Sequence, residues 1–135
     1  MSSKVISILK DTPDWVVVDK PVGVGMHREQ DEASILELVQ HQLQCQHLYP
    51  VHRLDKVTSG VLLMAKTKEA NQQLSQQFAD RKVQKFYLAL SEQKPGKKMG
   101  QIIGDMVKTR GGSWKLTRSK NNPAKTQFLS SANPE

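Results

Sequence analysis

The sequence has little that could cross-link the chain or hold it in a membrane. Cys45 is its single cysteine, which excludes an intrachain disulfide and favours a reducing compartment. No apolar run approaches the length of about 20 residues needed to cross a bilayer. The N-terminus lacks the apolar segment of a signal peptide. These absences predict a cytoplasmic protein that does not enter a membrane.

Common metal-binding and hydrolase motifs are also missing. The four histidines and Cys45 show no Cys-x-x-Cys or His-Glu-x-x-His spacing, so we predict no metal site. Gly23 and Gly25 form a Gly-x-Gly that continues into neither a dinucleotide-binding loop nor a P-loop. Ser59 and His52 lack a Gly-x-Ser-x-Gly elbow and a third partner, which argues against a serine hydrolase.

Positive charge is abundant, and it is concentrated in the second half of the chain. The formal net charge is +7. Residues 1–80 carry eight Lys and Arg against ten Asp and Glu, whereas residues 81–135 carry twelve against three. This asymmetry favours a polyanionic partner, most simply a nucleic acid. The alternative is a solubilising surface without a ligand, and charge alone leaves both open.

The hydrophobic pattern predicts a mixture of helices and strands. Ser34 and Glu37 fit a capping box, and Thr67 can cap a second helix. Apolar residues at helical spacing predict helices over 34–45 and 67–80. β-branched, apolar or alternating segments predict strands at 5–9, 15–18, 61–65 and 83–90, with shorter strands at 102–103, 106–107, 114–116 and 126–129. We therefore expect an α+β fold, with a mixed, largely antiparallel sheet and flanking helices.

A polar loop, residues 52–60, precedes the apolar strand predicted at 61–65. An arginine such as Arg53, two residues before Asp55, can keep the aspartate ionised. An ionised aspartate can act as a nucleophile or a general base. The alternative is that Arg53 and Asp55 only brace the loop, and the spacing alone favours that structural role.

Four ordered segments resemble the RluA family of pseudouridine synthases. The most specific is His52-Arg53-Leu54-Asp55-x-x-Thr58-Ser59-Gly60-Val61-Leu62-Leu63-x-Ala65-Lys66. Residues 17–23 are similar to the family's strand that ends in Lys-Pro-x-Gly, and residues 85–89 to its Lys-x-Tyr-x-Ala segment. Residues 123–128 are similar to its Ala-x-Thr segment with a following aromatic residue.

The resemblance implies isomerisation of a uridine in structured ribosomal or transfer RNA to pseudouridine, without a metal or an organic cofactor. It implies that Asp55 is the catalytic aspartate, which either attacks C1′ or removes the 2′ proton. Arg53 would fill the space left by the flipped base, and Tyr87 would pack on the target uracil. The remaining residues implied to support the site are His52, Leu54, Thr58, Ser59, Gly60, Lys20 and Pro21.

One motif of the family, of the type Thr-Gly-Arg-x-His-Gln-Leu-Arg, does not occur in this sequence. An N-terminal S4-type RNA-binding module does not occur either. We therefore expect residues 1–135 to be one monomeric catalytic domain that is incomplete at its C-terminus and inactive, or nearly so, by itself. The alternative function is a non-catalytic, basic RNA-binding module. A nucleic-acid hydrolase built on Asp55 would need a second carboxylate cluster or a metal-ligand set, and the sequence has neither.

Overall fold

The computed structural model describes residues 4–132, which separate into two units by their internal contacts. The first unit ends at Phe86 and the second begins at Tyr87. Within residues 4–132, no helix is both long and apolar enough to cross a membrane. The predicted α+β class with antiparallel pairing is confirmed in the sheets of both units.

A four-stranded antiparallel sheet organises the first unit. Its strands are β1 (Ser7–Asp11), β2 (Trp15–Lys20), β3 (Tyr49–Pro50) and β4 (Gly60–Ala65), arranged in the order β1-β2-β4-β3. The central pair has full register from Trp15 opposite Ala65 to Lys20 opposite Gly60. Alternate residues of these two strands point into the core, as the period of two in a strand requires. The buried residues on this face include Val16, Val18, Leu62 and Met64.

Two helices complete the first unit. Helix α1 (Ile35–Leu43) begins at a capping box, in which the Ser34 hydroxyl accepts from the Glu37 N–H and the Glu37 carboxylate accepts from the Ser34 N–H. Its residues Ile35 and Val39 are buried in the core cluster. Helix α2 (Lys68–Ala79) begins after Thr67, whose hydroxyl accepts from the Ala70 N–H at 3.1 Å, and it contacts β3 and β4. Both predicted helices and both predicted caps are confirmed.

The second unit consists of two antiparallel strand pairs. Strand β5 (Met99–Gly104) pairs with β8 (Ala124–Leu129), and β6 (Met106–Lys108) pairs with β7 (Trp114–Leu116). Asp105, between β5 and β6, accepts hydrogen bonds from the Ser119 hydroxyl and from the backbone N–H groups of Asn121 and Asn122. These hydrogen bonds, led by that from Ser119, lower the pKa of Asp105. Asp105 thereby fixes the loop that returns the chain to β8.

One predicted strand is absent from the structure, and one strand of the structure was not predicted. The strand predicted over residues 83–90 is wrong: residues 82–91 have no regular secondary structure, and Phe86 and Leu88 are exposed. The alternating pattern is present, but no strand among residues 4–132 pairs with this segment, and a strand needs a ladder partner. The short strand β3 was not predicted because it contains Pro50, which cannot donate to a ladder. It lies at the sheet edge, where proline is tolerated.

Candidate active site

The loop between β3 and β4 exposes Asp55 to solvent, while a neighbouring residue of the loop is buried in the core. Leu54 is 6% exposed and belongs to the core cluster, whereas its neighbours Arg53 and Asp55 are exposed. The Thr58 N–H donates to the Asp55 carbonyl at 3.0 Å and closes a turn after the aspartate. Burial of Leu54 therefore fixes the loop, while the Asp55 carboxylate remains accessible to a ligand.

Lys20, the last residue of β2, is hydrogen-bonded to this loop. Its side chain is fully buried, and its Nζ donates to the carbonyls of Val24 at 2.8 Å, Pro21 at 3.0 Å and Lys56 at 3.4 Å. The Gly23 N–H also donates to the Lys56 carbonyl, at 2.8 Å. The Lys-Pro-x-Gly segment and the loop that carries Asp55 are thus joined through one backbone carbonyl. These hydrogen bonds bring Lys20 and Pro21 next to the loop that carries Asp55.

The electrostatic environment of Lys20 links it to Asp55. Burial lowers the pKa of Lys20, and the negative charge of Asp55 acts in the opposite direction. Neither Arg53 nor Asp55 has an ion-pair partner among residues 4–132, so the brace that their spacing suggested is not formed. Lys20 lies far from Asp55 in the sequence, but the fold brings it close enough for Asp55 to act on its charge.

His52 fastens the start of the loop to the sheet and to α2. Its Nε2 accepts from the Leu63 N–H at 2.9 Å, and its ring stacks on Phe78 with 4.6 Å between ring centroids. An accepting Nε2 requires a neutral ring with its proton on Nδ1. Burial, followed by the positive charge of Lys85, lowers the pKa of His52. This geometry supports a structural role for His52 rather than proton transfer.

An ion-pair cluster that the sequence motifs do not predict lies beside Asp55. Lys56 Nζ lies 2.8 Å from Glu29 Oε2 and 3.1 Å from Glu32 Oε2. The hydrogen bond between Lys56 and Glu29 raises the pKa of Lys56 and lowers that of Glu29. The cluster fastens the segment before α1 to the loop. The sequence feature that could have indicated this cluster is the acidic segment 29–32 before α1, together with the lysine directly after Asp55.

The remaining predicted site residues divide between the two units. Gly60 opens β4 opposite Lys20 with a φ of +136°, a conformation that side-chain-bearing residues rarely adopt. Ser59 is exposed beside it. Tyr87 begins the second unit and is 64% exposed. Its contact with the target uracil stays a prediction. Among residues 4–132, no cluster of three or more His, Cys, Asp or Glu side chains could hold a metal ion.

Comparison with known proteins shows the family to which the chain belongs. Residues 14–134 match the sequence model of the RNA pseudouridylate synthases. The chain therefore belongs to the RNA pseudouridylate synthase family. It is 46% identical over 125 residues to an uncharacterized RNA pseudouridine synthase of Haemophilus influenzae, covering 93% of this chain and 56% of that protein. It is 41% identical over 88 residues to the tRNA pseudouridine synthase C of Pasteurella multocida, covering 63% of this chain and 36% of that protein.

Solved structures show the same fold. The human RNA pseudouridylate synthase domain containing 1 superposes with a TM-score of 0.71 at 22% identity, covering 94% of this chain and 51% of that one. The human RNA pseudouridylate synthase domain containing 4 superposes with a TM-score of 0.60 at 23% identity, covering 90% and 52%. The chain thus spans about half the length of the Haemophilus protein and of the two human proteins.

Proposed function

We propose that the protein isomerises a uridine in structured RNA to pseudouridine, with Asp55 as the catalytic aspartate. The observation that carries this proposal is the placement of Asp55 in a chain of this family. The aspartate is exposed, while Leu54 before it is buried in the core and Lys20 anchors the carbonyl of the residue after it. Such a loop holds a reactive carboxylate in a fixed position and leaves its face open to substrate.

The reaction breaks the C1′–N1 bond of uridine, forms a C1′–C5 bond and releases the proton from C5. The Asp55 carboxylate would attack C1′ or remove the 2′ proton, and both routes use its ionised form. The buried ammonium of Lys20 supplies positive charge close to this carboxylate. Because the base must leave its stack to react, the exposed Arg53, which has no ion-pair partner within residues 4–132, is suited to fill the vacated space.

Release of tritium from RNA labelled at C5 of uridine tests the proposal. We expect the gene product that contains these residues to release tritium, and Asp55→Asn to reduce release to background without loss of RNA binding. Asp14→Asn, which changes an exposed aspartate directly before β2, is the matched control and should retain full release. Turnover by Asp55→Asn would remove Asp55 from its proposed role. We expect residues 1–135 alone to release little or no tritium, because they lack one motif of the family.

The proposed partner is ribosomal or transfer RNA. A tRNA substrate is supported by the name of the Pasteurella relative, a tRNA pseudouridine synthase, and we propose a cytoplasmic monomer that acts without a cofactor. Release of tritium from bulk tRNA or from ribosomal RNA distinguishes the two substrates.

The second candidate function, a non-catalytic RNA-binding module, is supported by the excess of basic residues after residue 80. RNA binding by the gene product without any isomerisation would favour it.

A further inference from the structure

A cavity of about 320 Å³ lies within the first unit, beside the loop that carries Asp55. Its apolar lining comes from Met26, Leu36, Pro50 and Val51. Met26 and Val51 are buried, so this part of the lining is fixed by the core. A volume at the lower end of the small-ligand range accommodates one flat ring system rather than an extended ligand.

The polar lining of the cavity comprises one guanidinium, two imidazole rings and no carboxylate. It consists of His27, His52 and Arg53. Arg53 is exposed and has no ion-pair partner among residues 4–132, so its guanidinium can bind a phosphate. His52 uses Nε2 to accept from the Leu63 N–H, which leaves its Nδ1–H as the donor of the ring. An apolar pocket with cationic and donor groups is complementary to a nucleobase and its phosphate.

We propose that this cavity binds a single unstacked nucleobase adjacent to the target uridine in the RNA. The proposal rests on the function proposed above for Asp55. Arg53 and Asp55 are two residues apart, so their Cα atoms are separated by at most about 7 Å. The cavity is therefore within reach of a nucleotide next to a uridine held at Asp55. The cavity would thus select RNAs in which a neighbouring base can also leave the stack.

Mononucleotide binding to the 135-residue chain tests the cavity without turnover. The probes are uridine 5′-monophosphate and ribose 5-phosphate, followed by amide NMR signals. We expect uridine 5′-monophosphate to shift the signals of Met26, Leu36 and Val51, and ribose 5-phosphate to leave them in place. Equal shifts with ribose 5-phosphate would reveal a phosphate site only and overturn the proposal, as would no shift with either probe. N-acetyl-leucine amide is a third probe, and shifts with it alone would identify a protein segment as the occupant instead.

Filling the cavity provides the matched variants. Leu36→Trp places a large ring in the pocket, and Pro50→Trp does so from an exposed edge position where unfolding is a smaller risk. Both variants should abolish the shifts, whereas His41→Trp, on the exposed side of α1 and outside this cavity, should preserve them. Shifts that persist in folded Pro50→Trp would overturn the proposal. Asp55→Asn should bind the mononucleotide normally, so failure of this test and failure of the catalytic proposal are distinguishable.

Discussion

Lys20 is a fully buried residue of a type that proteins usually expose. Its burial is compensated because the ammonium donates to three backbone carbonyls, of which the Lys56 carbonyl belongs to the loop that carries Asp55. The lysine therefore positions a loop rather than contributing to the surface charge. This explains in physical terms why a lysine-proline pair at a strand end can support a site formed by a distant loop.

Replacing Lys20 by methionine should destabilise the first unit. The apolar side chain fits the stem of the lysine but removes the donor of the buried hydrogen bond to the Val24 carbonyl, which costs about 1–3 kcal/mol in the free energy of unfolding. Urea unfolding followed by circular dichroism measures this change. Lys10→Met, the same substitution at an exposed position of β1, should be close to neutral. Equal effects of the two substitutions would contradict the role assigned to the Lys20 ammonium.

We expect His52 to make the stability of the protein depend on pH. Its pKa is lower in the folded chain than the ordinary value of 6.5, so the unfolded chain binds the proton more readily. The stabilisation that the folded chain gains from a neutral His52 is complete above pH 6.5, the ordinary pKa. It is lost as the pH falls toward the lower pKa that His52 has in the folded chain. Unfolding free energies measured between about pH 5 and pH 7 should rise with pH. His52→Gln should flatten this rise and His41→Gln, at an exposed position, should not. A wild-type profile without any rise would refute the assignment.

At the scale of elements, Gly60 is the point where the loop becomes strand β4. Its φ of +136° is strained for any residue with a Cβ, although an added Cβ would meet no atom within 4 Å. Gly60→Ala should therefore cost about 1–3 kcal/mol through the backbone alone. Gly111→Ala is the matched control, because Gly111 also has open space but a φ outside the left-handed region. Thermal unfolding of both variants measures the difference, and equal midpoints would contradict the strain at Gly60.

Local patterns in the sequence determine much of this fold. The caps at Ser34 and Thr67 and the buried runs of β2 and β4 depend on residues that are close in sequence, and these elements were predicted correctly. The segment 83–90 failed because an alternating pattern does not reveal whether a partner strand exists. The same limit applies to the candidate active site, because a local pattern does not show which distant segments meet there. The motif identified the loop around Asp55, but the hydrogen bond from Lys20 and the ion pairs of Lys56 join segments more than twenty residues apart.

At the scale of the whole molecule, charge is distributed unequally between the two halves of the chain. The acidic residues of the first unit are partly neutralised by local pairs, as in the cluster of Glu29, Glu32 and Lys56. In the second unit, exposed basic residues surround the turn between β6 and β7, where Lys108 lies opposite the exposed Trp114. Basic side chains beside an exposed aromatic ring suit an RNA backbone with an unstacked base. We therefore expect the phosphate contacts to lie mainly in the second unit.

The salt dependence of RNA binding tests this distribution. Each phosphate contact releases condensed counterions, so loss of two contacts should reduce the slope of log K against log salt by about two. Lys108→Gln combined with Arg110→Gln removes two exposed charges at the β6–β7 turn. Lys10→Gln combined with Lys68→Gln removes the same charge from exposed positions of the first unit. Fluorescence anisotropy on a labelled RNA hairpin over a KCl series should show a lower slope for the first pair only. Because both pairs change the net charge equally, equal slopes would mean that the β6–β7 turn makes no specific phosphate contact.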